Sequence, residues 1–527
     1  DAGVQEAIKN RLGWLTIAEE MTDVGEDLAT FANEIRDAGF RDVVLLGMGG
    51  SSLAPEVLRE TLGVTSGYPN LTVLDTTDAA SIRAVESGLD MTKTLFVVAS
   101  KSGTTVEVLS LFDYFADRVR AAKGDSAGES FIAITDEGTP LQELAREQRF
   151  RRVFTNPSDI GGRYSALSYF GLVPAALIGA DVEMLLRRAI TMAEASASCV
   201  AAEENPGVWL GAILGELALA GRDKLTLALS PGLTSLGSWV EQLIAESTGK
   251  EGKGILPVDA EPLGDPAAYG DDRVFVHVRL DDDTSLDNAM EKLSAGGHPV
   301  VTLRLQDAYA LGGEFVRWEM ATVTAGAILG VNPFDEPNVA ESKANTERLL
   351  EEYRARGALP EGQPAVREDG VEVFSEEAVD GLVDALGSFL KRVRPGDYVA
   401  LGAYLERTPS VQTALQSIRL TLGDGVRAAT TLGYGPRYLH STGQLHKGGG
   451  DNGLFLLFTA DDREDVEVPG RTYTFGVLKR AQALGDLEAL RQRGRHVLRL
   501  HLSSDVEAGL KRIDQALKAA VTAATPR

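Results

Sequence analysis

Between residues 42 and 147, short apolar runs alternate with helical patterns, and this rhythm constrains the fold more than any other feature of the chain. The run Asp42-Val-Val-Leu-Leu-Gly47 stops at glycine, as a strand buried on both faces does, and a helical pattern opens at Leu53. The unit recurs: strands are predicted at 71–75, 95–100 and 131–135, and helices at 78–88, 104–122 and 138–147. Alternation of this kind predicts an open parallel sheet with helices on both faces. It resumes after Lys224, with strands at 225–230, 273–280 and 299–305 and helices at 235–248, 286–295 and 314–330. A third series has strands near 398–405, 426–431, 453–459 and 496–502, with helices at 409–421, 474–492 and 504–523. Residues 1–40 read as amphipathic helix and 167–220 as apolar helix, while 355–375, rich in Gly, Pro and charge, read as a linker. The expectation is an α/β protein with two doubly wound parallel-sheet domains, 1–170 and 171–350, and a further C-terminal α/β region, 376–527. A chain of 527 residues is too long for one core, which agrees with several domains.

Charge narrows the ligand. The net charge of -25 argues against a nucleic-acid binder, because phosphate backbones need a basic face. It leaves room for a small phosphorylated ligand, which needs only a nest of N–H groups and one or two cations. No apolar run reaches the ~20 residues of a membrane span. The lone cysteine, Cys199, cannot form an internal disulfide, so nothing calls for an oxidising compartment, and a cytoplasmic location is expected. The start, Asp1-Ala-Gly-Val-Gln, is neither a signal peptide nor a natural initiator and reads as a cut chain.

Two loops carry the chemistry of the first series. Gly47-Met-Gly-Gly-Ser-Ser52 lies between a strand and a helix, where glycine lets backbone N–H groups approach an anion and the helix start favours negative charge. A dinucleotide fold is the rival, but Ser52 stands where the last glycine of that pattern belongs. Ser100-Lys-Ser-Gly-Thr-Thr105 repeats the arrangement, with four hydroxyls and a lysine in six residues. A helix cap needs one hydroxyl, and a dinucleotide site has no use for this second loop. Gly50, Ser51, Ser100, Lys101, Ser102, Thr104 and Thr105 are therefore the expected phosphate-binding residues.

Gly47–Pro55 and Ser100–Glu107 resemble the two phosphate loops of sugar isomerase domains. Asn156–Ser165 is similar to the Gly-Gly-Arg-x-Ser signature of the phosphoglucose isomerase family, and Glu246-Ser-Thr-Gly-Lys250 to its Glu-Ser-x-Gly-Lys segment. Asn332–Lys343 resembles the family's Asp-Gln…Lys segment. The five segments stand in family order over roughly 300 residues, where any one alone would be weak. The block after Lys343 resembles the isomerase half of bifunctional transaldolase/phosphoglucose isomerase proteins, which implies a transaldolase domain upstream of Asp1. The resemblance implies sugar-isomerase-type domains and interconversion of glucose 6-phosphate and fructose 6-phosphate through an enediol. It implies Glu246 as general base, Arg163 as the cation steadying the enediolate, and Lys343 near the ring oxygen or O1.

The chain departs from the family pattern twice. Glu336 stands where the family has glutamine, and the ring-opening histidine is missing, its place falling near Leu293. His298 is close by and reads equally as a turn residue. A second source is the glycine-rich segment 437–453, where His440, His446 and Lys447 lie within eight residues, in a chain with six histidines. His440 and His446 are the expected ring-opening candidates. No metal-ligand spacing is visible and enediol chemistry needs no cofactor, so none is expected. A related isomerase accepting mannose 6-phosphate and a non-catalytic sugar-phosphate sensor remain open, as does a homo-oligomer. A sensor would keep Ser100–Thr105 but would not need Glu246, Arg163 and Lys343 together.

Overall fold

The computed structural model describes residues 2–524. Three sheets follow one another along the chain. The first holds β1 (Asp42–Leu46), β2 (Asn70–Leu74), β3 (Thr94–Ala99), β4 (Phe131–Asp136) and β5 (Arg152–Asn156), all parallel, in the order β2-β1-β3-β4-β5. The second holds β6 (Lys224–Leu229), β7 (Leu256–Val258), β8 (Arg273–Leu280) and β9 (Val300–Leu305) in the order β7-β6-β8-β9, again parallel. The third adds β10 (Val366–Glu368), β11 (Val371–Phe374), β12 (Tyr398–Tyr404), β13 (Ala429–Tyr434), β14 (Gly453–Ala460) and β15 (His496–Leu502). Its order is β10-β11-β15-β14-β12-β13. The fold is α/β, as the alternation predicts. Strands such as β3, buried at every position, are apolar after their first residue, Thr94, because helices cover both faces.

Several elements differ from the sequence reading. The stretch 355–375, expected as a linker, carries the hairpin β10–β11, which pairs antiparallel with β15. Its turn is Asp369-Gly370, both with positive φ, and strands this short, of mixed charge, give too brief an alternation to stand out. Strands β5 and β7 also lie outside the expected set, being short and broken by Asn, Arg or Pro.

The core explains how the sheets meet. One buried cluster runs from Trp14 to Phe334 and joins the first two sheets through shared helices. The third sheet has a cluster of its own, from Val371 to Ala520. The helix Phe475–Gln492 bridges them: Phe475, Val477 and Leu478 pack with Phe112 and Phe115 behind the first sheet, while Leu484 and Leu487 pack against Tyr438 and Tyr398. Among the described residues, no helix is long and apolar enough to cross a membrane.

Candidate active site

In a doubly wound sheet, ligands settle where the strand order reverses, beyond the carboxyl ends of the strands. In the first sheet that point lies between β1 and β3, and the two strands end in the Gly47–Ser52 and Ser100–Thr105 loops. A cavity of about 410 Å³ opens beside the second loop, with Ser102, Thr104, Thr105, Glu107, Lys343 and His440 in its wall. Three stretches far apart in sequence thus share one wall.

The second loop divides in two. Ser102 and Thr104 turn exposed hydroxyls toward the cavity, 2.9 Å apart. Ser100 is buried, bonding Thr105 Oγ1 at 2.9 Å and accepting from Gly103 N–H at 3.1 Å. Lys101 faces away: its ammonium pairs with Asp136 and donates to Ser158 O at 3.1 Å. Gly50 and Ser51 are not in the cavity wall. The first loop acts as a hub instead. A Cβ on Gly50 would lie 1.9 Å from Gly162 O, so glycine at 50 lets the Gly161-Gly162-Arg163 turn come close. Gly49, at positive φ, sits against Gln242 and His440 in the same way.

Glu246 and Arg163 meet behind this hub. Glu246 lies near the end of the helix Leu236–Thr248, with Oε1 3.3 Å from Arg163 Nη1. Gln242, one turn earlier, donates to Glu246 Oε2 at 3.0 Å and to His440 O at 2.7 Å. Burial holds the Glu246 carboxyl above the usual range, the Glu336 charge adding to this and Arg163 opposing it. Neither Glu246 nor Arg163 is in the cavity wall; Gln242 and the backbone of His440 join the two clusters.

The two histidines of the third block part company. His440 reaches the cavity, and its Nε2 stands 3.0 Å from Glu107 Oε1, which also accepts from Gln482 Nε2 at 2.7 Å. Burial pushes the Glu107 carboxyl up, but His440, a backbone hydrogen bond and Lys343 together bring the net direction down. His446 does not reach the cavity. Its ring packs edge-on to Phe455 at 5.0 Å, and burial holds its pKa well below the ordinary value. Lys447 is buried with Asp486 at 2.6 Å. The segment puts His440 in a short turn and His446 in the following helix, buried along its whole length, a division that spacing alone does not reveal. Leu293 lies in an apolar cluster with Phe275 and Met290, and His298 Nε2 bonds Pro266 O at 3.0 Å between two aromatic rings, as a turn residue does. Glu107 and Gln242 are the site residues that sequence reasoning misses. The only signal for Gln242 is its spacing of four from Glu246 on a helix.

Sheet order, paired phosphate-type loops and a buried carboxylate–guanidinium pair define a sugar-phosphate isomerase class of α/β protein. Residues 16–256 match the family model described as phosphoglucose isomerase. The chain is 30% identical over 367 residues to a probable glucose-6-phosphate isomerase of Haloarcula marismortui, covering 61% of this chain and 82% of that protein. It is 29% identical over 369 residues to a glucose-6-phosphate isomerase of Rubrobacter xylanophilus, covering 60% and 84%. A hypothetical protein of Thermus thermophilus superposes with a TM-score of 0.59 at 26% identity, covering 66% of this chain and 94% of that one. A glucose-6-phosphate isomerase of Chlamydia trachomatis shares the fold, with a TM-score of 0.56 at 22% identity, over 65% and 76%. The chain belongs to the phosphoglucose isomerase family. The matched segment holds both loops, Arg163 and Glu246, and ends before Lys343 and His440.

Proposed function

We propose that the chain interconverts glucose 6-phosphate and fructose 6-phosphate by moving a proton between C1 and C2. The observation that carries this reading is the contact of Glu246 with Arg163, tied through Gln242 to a cavity that presents hydroxyls and His440 together. The hydroxyls of Ser102, Thr104 and Thr105 hold the phosphate, with no cation from Lys101, which is engaged with Asp136. His440, steadied by Glu107, gives and takes the proton that opens the ring. Lys343, exposed in the cavity wall, faces the same end of the sugar. Glu246 removes the proton from C2 or C1, and its raised pKa suits a group that must accept a proton and return it. Arg163 offsets the charge that develops on the enediolate oxygens.

The test is a coupled assay in both directions on the two hexose phosphates, with deuterium exchange at C2 followed in D₂O. Turnover with solvent exchange at C2 is expected. Tight binding of hexose phosphate without turnover or exchange would instead make the chain a sensor.

A further inference from the structure

Arg163 has five N–H donors, and the protein engages four of them in hydrogen bonds. Nε donates to Ser247 Oγ at 2.8 Å, and Nη2 donates to the carbonyls of Pro333 and Asp335 at 2.7 and 3.0 Å. Nη1 donates to Glu336 Oε2 at 3.1 Å and stands 3.3 Å from Glu246 Oε1. The Arg163 side chain is 3% exposed, so water supplies little. The remaining donor is in ion-pair contact with the buried Glu246 carboxylate, so a sugar oxygen gains one of the hydrogen-bonded donors only if its acceptor withdraws.

Most of them are fixed. Ser247 is fully buried in its helix, and Glu246 is buried and bonded by Gln242. The turn that presents Pro333 O and Asp335 O is tied down by Lys250, whose ammonium bonds Asn332 O and Asp335 Oδ1, each at 2.7 Å. Glu336 differs. Its side chain is 48% exposed, and among the described residues Arg163 is the only group paired with its carboxylate. Water is therefore at hand to solvate this carboxylate if it leaves, which lowers the cost of moving it.

Resting on the isomerase reading, we propose that Glu336 is a displaceable carboxylate, which occupies one donor of Arg163 until an oxygen of the bound sugar takes its place. The choice of glutamate over glutamine then has a chemical meaning. A charged occupant yields to an oxygen that carries or develops negative charge, and resists water and neutral hydroxyls, which are weaker acceptors. Glu336 also places a second negative charge beside Glu246. The charged and titratable groups facing Glu246 are Arg163, Glu336, His440 and Lys250; Glu336 is the one that opposes its ionisation.

The experiment uses Glu336→Gln and Glu336→Ala in the full chain, with circular dichroism to establish that both fold. The first readout is calorimetric affinity for 6-phosphogluconate, whose C1 carboxylate offers an anionic oxygen to Arg163. Inorganic phosphate serves as the probe of the hydroxyl loop. Both variants are expected to bind 6-phosphogluconate about threefold to tenfold more tightly, because a competing charge is gone, with phosphate affinity unchanged. The second readout is the pH profile of kcat/KM. Loss of a like charge lowers the pKa of Glu246, so its ionised form persists to lower pH and the acid limb moves down in Glu336→Gln. A merely structural Glu336 could move the acid limb through its charge, but it would leave the affinity for 6-phosphogluconate unchanged. Unchanged 6-phosphogluconate affinity in both folded variants would overturn the proposal. If the wild-type chain does not isomerise, the isomerase reading fails by itself, and the calorimetric comparison still decides the role of Glu336.

Discussion

The first and third sheets are wound alike and used differently. In β2-β1-β3-β4 and in β13-β12-β14-β15 the order reverses after the first strand of the unit, so each has a crevice at its switch point. Beyond β1 and β3 stand glycines and hydroxyls. Beyond β12 and β14 stand Leu405-Glu406 and Asp461-Asp462, beside a cavity of about 750 Å³. There the buried Lys479 bonds Asp78 of the first block at 2.7 Å and pairs with Asp462, closing an ionic contact between the two blocks. Winding supplies a crevice in both cases. Under the proposed function, loop chemistry decides whether it receives a phosphate or a neighbouring block, since carboxylates at the strand ends repel an anion that hydroxyls and helix N–H groups attract.

The sharpest way to break this contrast is at the reacting centre. Glu246→Gln keeps the shape of the side chain and its neighbours but removes the base, and turnover should fall at least about 100-fold while sugar-phosphate binding persists. Near-native turnover would take the chemistry away from Glu246 and from the first block's crevice. His440→Ala asks whether the third block contributes to that crevice. Turnover should fall by about tenfold to 100-fold, and at rising enzyme concentration the rate should plateau at spontaneous ring opening. A rate that stays linear at native turnover would leave the third block with a structural role only, and His446 cannot replace His440 from its place among the aromatic rings.

Binding separates the two crevices more gently. Ser102→Asp puts a like charge beside the phosphate and should weaken inorganic phosphate and sugar phosphate by about tenfold. The matched change at the other switch point, Asp461→Asn, should leave both affinities within about twofold, because that residue faces no site for an anion. Equal effects of the two changes would mean that the crevices are not divided as their loops suggest.

How much of this was legible follows from the range of the forces involved. The strand–helix alternation, and with it the switch-point loops, is a local pattern with periods of two and 3.6 residues, so β1, β3 and their loops could be read directly. The Glu246 and Arg163 segments could be read because they resemble known ones. What sequence could not supply is which distant groups meet. Lys101 reads as a phosphate ligand, and its pairing with Asp136, 35 residues on, is not visible in the sequence. The pairing of His440 with Glu107 spans 333 residues. Gly249 reads as a helix stop, but a Cβ there would lie 2.4 Å from Leu445 Cα, so its size is required by a loop of the third block. The hairpin in 355–375 escaped because Gly, Pro and charge also mark a linker, and only Asp369-Gly370 hinted at a turn between strands.

That hairpin gives the smallest expected effect and the cleanest control, because it belongs to the third sheet alone. Gly370 has φ of +80° and Ser503 N–H donates to its carbonyl at 3.0 Å, joining the turn to the end of β15. In Gly370→Ala the added Cβ would stand 3.3 Å from Ser503 Oγ, in a backbone region that L-residues rarely adopt. The cost should be about 1 kcal/mol. It should appear locally, as faster amide hydrogen exchange across 366–374, with no change at 100–105. Isomerase turnover should stay within about twofold, since β10 and β11 touch the cavity wall nowhere and sit on the far edge of their sheet from β12. A Gly370→Ala chain that lost activity while its first sheet kept native exchange would show that the edge of the third sheet sets the position of His440. The third block would then be part of the catalytic machinery as a whole, not through one histidine.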